Sequence, residues 1–197
     1  GATTVNGGTL TVSGGGIIGA GALTVTDGAF DLAGTTAMVD SVVITGGSIQ
    51  HGTVLGTSYT AFGGSISAIL AGPTSAFAQL SGDTTLNAAN TYGGGTEVAG
   101  GNLIAVATGS LSTGLVTLSG GTLTLANDGT GTGNLETIRY GNNVSVVADS
   151  SIAVSQFTSA PGVLNAANKT LQLGALTIAD NTLAITNNNG FGLKFDS

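Results

Sequence analysis

Ile44-Thr45-Gly46-Gly47-Ser48-Ile49 is the stretch that decides how this chain is read. Six positions hold an aliphatic residue, a polar one, two glycines, a small polar residue and a second aliphatic. The order returns as Val5-Asn-Gly-Gly-Thr-Leu10, Val25-Thr-Asp-Gly-Ala-Phe30, Val98-Ala-Gly-Gly-Asn-Leu103, Leu118-Ser-Gly-Gly-Thr-Leu123 and Ile178-Ala-Asp-Asn-Thr-Leu183, with a shortened copy from Phe62 to Ile66. The first aliphatics stand at 5, 25, 44, 98, 118 and 178, and the longer gaps divide into whole units of about 19 residues, nine units in all. A fixed period of this length is the mark of a stacked, quasi-one-dimensional repeat architecture.

Within each unit the local pattern is that of a strand. Thr9-Leu10-Thr11-Val12, Leu23-Thr24-Val25-Thr26 and Thr122-Leu123-Thr124-Leu125 alternate an apolar residue with threonine, as a strand with one buried face does. Glycine interrupts every segment long enough for an apolar helical stripe, so helix is excluded. The Gly-Gly pairs supply corner backbone angles that β-branched residues reject. Stacking such units sets each strand beside its counterpart one turn away, about 4.8 Å along the axis. The expected fold is therefore all-β, a parallel β-helix (β-solenoid) of about ten turns. Its period is irregular, varying slightly from unit to unit, which favours the right-handed form. Val5, Leu10, Val25, Phe30, Ile44, Ile49, Val98, Leu103, Leu118, Leu123, Ile178 and Leu183 are expected to point inward as ladders.

Composition bounds the rest. The 197 residues include 35 glycines, no cysteine, and only three basic against ten acidic residues, for a net charge of −7. One repeat domain over 1–197 is expected, with an irregular or looped segment at 127–168, where the Gly-Gly motif lapses and Glu136, Arg139, Tyr140 and Pro161 appear. A partner contact is expected there, as protruding solenoid loops carry contacts. Arg139, Lys169 and Lys194 are too few to neutralise a row of phosphates, which argues against nucleic acid and anionic lipid as partners. No apolar run is long enough for a membrane span and no signal peptide is read, so a mature segment or an excised fragment is expected.

From Asn90 to Leu103 the chain reads Asn-Thr-Tyr-Gly-Gly-Gly-Thr-Glu-Val-Ala-Gly-Gly-Asn-Leu, with Val116-Thr-Leu-Ser-Gly-Gly-Thr-Leu123 behind it. This resembles the passenger-associated repeat of bacterial autotransporters, whose pattern is Asn-Thr-Tyr-x-Gly-Gly-Thr-x-Val-x-x-Gly-x-Leu. Residues 1–12 resemble the end of a second copy, so the likeness covers about a third of the chain. Glu97 departs from the family's usual neutral residue. The resemblance implies a right-handed β-helical passenger carried to the cell surface, or secreted, through an outer-membrane barrel that is absent from this chain. It assigns Tyr92 a structural role.

Chemistry is sparse. His51, the only histidine, has no serine or carboxylate at a spacing that makes a triad, and reads as a solvated or turn-capping residue. Tyr59, Tyr92 and Tyr140 read as buried corner aromatics rather than a sugar platform. Gly14 to Gly21 resembles a phosphate loop in composition alone. Asp128, Asp149 and Lys169, each about one repeat from the next, are expected to stack at one phase of successive turns; the plain reading is a surface ion pair, the sharper one calcium on the two aspartates.

No catalytic, cofactor-binding or metal residue is assigned. The expected function is a non-enzymatic structural or adhesive segment of a surface or secreted protein, a rigid stalk, spacer or fibre. Its expected partners are further copies joined head to tail, other surface proteins, or a host or surface ligand. A polysaccharide-acting enzyme is disfavoured by the lack of basic residues. Ice binding is disfavoured because Thr9/Thr11, Thr24/Thr26 and Thr122/Thr124 fall at different phases of the repeat.

Overall fold

The computed structural model describes residues 1–13, 18–129, 135–157, 168–188 and 190–196. Among the described residues there is no helix; 23 strands pair in parallel throughout, each with its counterpart one turn away. The chain is a parallel β-solenoid. Its rungs are counted along one column of partners: Val5, Val25, Ile44, Ala61, Gln79, Val98, Leu118, Val146 and Ile178. Nine rungs are thus described, about nine turns rather than ten. The expected three units between Leu118 and Ile178 are two long turns instead, because Leu118 pairs with Val146 and Val146 with Ile178.

Each turn presents up to three faces. The first carries Ser41–Ile44, Ser58–Ala61, Ala76–Gln79, Thr96–Val98 and their successors, and the second carries Ser48–Gln50, Gly64–Ile66, Asp83–Leu86, Asn102–Ala105 and theirs. The two opening strands, Thr3–Thr11 and Leu23–Asp31, run through both faces and join them into one 16-stranded sheet. The third face is made by Thr36–Met38, Thr53–Leu55, Ile69–Gly72 and Thr91–Tyr92, and resumes with Thr137–Arg139, Thr170–Leu173 and Gly192–Phe195. The Gly-Gly motif turns the chain from first face to second. At Gly47 and Gly101 φ is +67° and +66°, and an added Cβ would run into the backbone carbonyl of Gly28 or Gly82 one turn below. The corner demands glycine for its angle and for the closeness of the neighbouring rung.

Alternation drives one side of every strand inward. Val5, Val25, Phe30, Ile44, Ile49, Val98, Leu103, Leu118 and Leu123 are buried as expected, inside a core continuous from Val5 to Phe191. Leu10 and Ile178 are corrections: they hold inward register against the buried Phe30 and Val146, yet are 36% and 42% exposed. Leu183 is half-buried. All three lie on the first or last described rung, where a ladder has a neighbour on one side only. Phe62, which opens the shortened copy of the motif, is exposed; the inward position belongs to Ala61, one place earlier.

The corner between the two faces also changes length along the rod, most at the fifth rung. Ala61 pairs with Gln79 and Ile66 with Leu86, and the second step along the chain is longer than the first by two, so two extra residues enter this corner. Gln79 braces the bulge from inside: fully buried, it donates through Nε2 to the carbonyls of Ser81 and Gly82, at 2.5 and 3.1 Å. Beyond this point Leu103 and Leu123 stack in the column of Thr84, two positions away from that of Phe30 and Ile49.

The cost of truncating an inward side chain depends on its rung. Ile44→Ala is expected to lower stability by about 2–4 kcal/mol, whereas Leu10→Ala costs less than about 1 kcal/mol, because only the first empties a closed cavity. Chemical denaturation midpoints of the two variants measure this, and equal losses would contradict it.

Candidate functional surface

The tyrosines show how little of the polar chemistry faces out. Tyr59, Tyr92 and Tyr140 are all buried, and Tyr92 packs at 6.1 Å from Tyr59 and 6.2 Å from Phe77, ring centre to ring centre. The Tyr59 hydroxyl donates to the carbonyl of Val54 at 2.8 Å and accepts from the N–H of Gly56 at 2.8 Å, while Tyr92 shares a 2.7 Å hydrogen bond with Thr96. Tyr140 donates to the carbonyl of Ala105 in an earlier turn. Burial pushes all three phenols above their ordinary value, Tyr92 further than its bond to Thr96 pulls it back. These rings are staples, and a sugar platform is ruled out by their burial.

Nothing in the spacing marks Asn90, just ahead of Tyr92, yet it has the most demanding role of the motif. Its side chain accepts from the N–H of Leu70 at 2.8 Å and donates to the carbonyl of Ser110 at 2.7 Å, linking the turn below to the turn above. It substitutes for backbone pairing where the third face has no strand in the next turn, the chain there forming a tight turn held by Ser110. Asn142 acts similarly, donating to the carbonyls of Ser112 and Gly114.

The charged residues are sorted differently from expectation. Asp128, Asp149 and Lys169 do not stack. Asp128 accepts from the N–H of Phe157 at 2.7 Å and Asp149 from the N–H of Thr182 at 2.6 Å, each bracing its own pair of turns. Lys169 is 0% exposed, with its Nζ 2.6 Å from Glu136 Oε2. The physical reason is turn length: Thr137 pairs with Thr170, so the residues just before them meet across one long turn instead of one ordinary repeat. No group of three metal-ligating side chains occurs among the described residues. Residues 130–134 and 158–167, including Pro161 and the centre of the contact expected at 127–168, lie outside the described residues.

His51 has a partner that spacing concealed. Its Nδ1 stands 3.1 Å from Asp31 Oδ2, one turn back, and His51 itself sits at φ +55° at the end of its strand. The N–H of Ala33 foremost, then His51, holds the Asp31 carboxyl below its usual range. The pair closes a turn, with Gln50 donating to the same carboxylate.

What remains outside is a pair of flat, quiet faces. On the first, the outward column reads Thr4, Thr24, Val43 and Thr60, then Ala78, Glu97, Thr117, Ser145 and Thr177. On the second it reads Thr9, Ala29, Ser48 and Ser65, then Thr85, Ile104, Thr124, Ala153 and Thr186, with no charge. Thr24/Thr26 lies on the first face, and Thr9/Thr11 and Thr122/Thr124 on the second, so the three threonine pairs form no single array. The exposed cations Arg139 and Lys194 sit together on the last part of the third face, where Arg139 meets Asp196 at 3.4 Å.

Comparison with protein-family models, with curated proteins and with solved structures finds no match in any of the three. The geometry by itself makes two predictions. Lys169→Ala is expected to cost about 3 kcal/mol, since it breaks a largely buried pair, and the double variant Lys169→Met with Glu136→Gln to cost clearly less; equal losses in denaturation would mean that packing, not charge, holds this corner. The buried tyrosines stabilise the rod fully below about pH 10, and that contribution is lost as pH rises from the unfolded phenol value toward the higher folded one. Phenolate absorbance is expected to appear only together with loss of the β-sheet circular dichroism signal; titration near the ordinary value in a folded chain would contradict it.

Proposed function

We propose that this chain is a non-enzymatic structural or adhesive segment, a rigid right-handed β-helical stalk of the autotransporter-passenger kind, held at a bacterial cell surface or secreted. The observation that carries the reading is the uninterrupted column of nine rungs, filled inside and coated outside by small, mostly uncharged residues. Right-handedness is supported by the uneven turn lengths, which right-handed helices accommodate: the step from Ile44 to Ala61 is little more than half that from Val146 to Ile178. The motif from Asn90 to Leu103 supports the family likeness through the work its residues do: Asn90 bridges turns, Tyr92 fills the core, and Gly101 makes the corner.

A stalk acts by holding its ends apart, and it needs no cleft. A groove of about 590 Å³ beside Met38, Leu55 and Pro73 holds one acid, Asp40, and no base to set against it. End-on stacking with further repeat units of the same kind fits the one-sided strands of the first and last rungs.

The test uses the absence of native cysteine. Spin labels on Thr9→Cys and Thr186→Cys, which share one outward column eight intervals apart, are expected to give a narrow distance distribution near 40 Å, from about 4.8 Å per rung. A broad distribution would sink the spacer reading. Release of reducing ends from a panel of acidic and neutral polysaccharides would sink the non-enzymatic one.

A further inference from the structure

The first face differs from the second in one respect that points to a partner. Phe62, Leu80, Leu115 and Val147 are large, apolar and exposed, and all four flank its central outward column, on rungs from Ala61 to Val146. Over the same rungs the column itself contributes Thr60, Ala78, Thr117 and Ser145, small side chains that let another surface come close, and one charge, Glu97. The exposed apolar residues of the second face, Leu10 and Ile185, are inward-register positions on terminal rungs and make no such patch. Phe62, Leu80 and Val147 share one flank of that column with Ala99 and Ser119 between them, and Leu115 stands on the other flank; an exposed apolar patch of this kind marks a surface that meets a partner.

We infer that this face is a lateral pairing surface for a second copy of the same chain, two solenoids lying side by side and antiparallel. Size is the first argument. Nine rungs and three outward columns about 7 Å apart cover roughly 40 by 20 Å, about 800 Å² a partner, the extent of a standard stable interface. Charge is the second. The chain carries −7, so copies repel each other wherever acids face, and this face holds one acid in its central column. Glu97 also decides the direction. Parallel rods in register would set Glu97 against Glu97. A two-fold axis lying across the face at Ala78 sets it against Thr60 of the second copy instead, where a hydroxyl can donate to the carboxylate. The same axis brings Leu80 onto Leu80 and Phe62 onto Ala99 of the second copy. The inference does not depend on the stalk reading, since it concerns the side of the rod and not what the rod displays.

Sedimentation velocity across a wide concentration range tests it on the full chain. A monomer–dimer equilibrium is expected for the wild type. Ala78→Glu and Thr60→Glu are expected to leave monomer only, with unchanged melting. Thr60→Lys, opposite Glu97, is expected to tighten the dimer at least severalfold, an advantage that high salt removes. Ser65→Glu on the second face is expected to change nothing. A wild type that stays monomeric at the highest concentration would overturn the proposal, as would a dimer indifferent to Ala78→Glu or one abolished by Ser65→Glu. If Thr60→Lys weakens pairing as much as Thr60→Glu does, the antiparallel register is wrong.

Discussion

Everything in this molecule depends on parallel backbone pairing between one turn and the next. A strand of three or four residues cannot hold itself, and it becomes stable only when its N–H and C=O groups meet those of the rungs on both sides and its inward side chain is covered above and below. That constraint explains why the interior is made of columns, why the columns favour Val, Ile, Leu and Ala, and why the same residue type is buried in the middle of the rod and wet at its last rung. Ile44 and Ile178 occupy equivalent positions and differ in burial because one has two neighbours and the other has one.

The constraint is strict along the axis and loose around the circumference. The short turn from Ile44 to Ala61 and the long ones from Leu118 to Val146 and on to Ile178 all deliver their strands to the same columns. Where a turn departs from the norm, a polar side chain meets the backbone from inside: Gln79 at the bulge, and Asn90 and Asn142 where the third face is interrupted. Asn90 both donates and accepts, as a peptide group does, whereas Gln79 and Asn142 serve as donors to backbone carbonyls. The buried polar residues of this rod thus mark its irregularities.

Moving the polar groups inside or to the corners leaves the flat faces almost without charge. The acids mostly stand where the chain turns or where a strand ends, as Asp27, Asp31, Asp40, Asp83 and Asp149 do. A solenoid built this way has sides that other surfaces can approach closely, and its −7 keeps approach selective by confining repulsion to edges.

The strands, the glycine corners and the stacked fold were all legible in the amino-acid order, because period-2 alternation and a recurring six-position motif are local signals that need no partner to be read. The buried tyrosines and nine of the twelve inward aliphatics followed from the same logic. Phase beyond residue 126 was not legible: counting by whole repeats put Lys169 with Asp149, whereas insertions of unequal length put it with Glu136. The Asp31–His51 pair and the bridging role of Asn90 were hidden for a related reason, since each joins residues that are neighbours only once the turns are stacked. Sequence alone determined that this chain would wind into a β-solenoid. Only the tertiary structure decided which residue lies above which, because that depends on the length of every intervening turn.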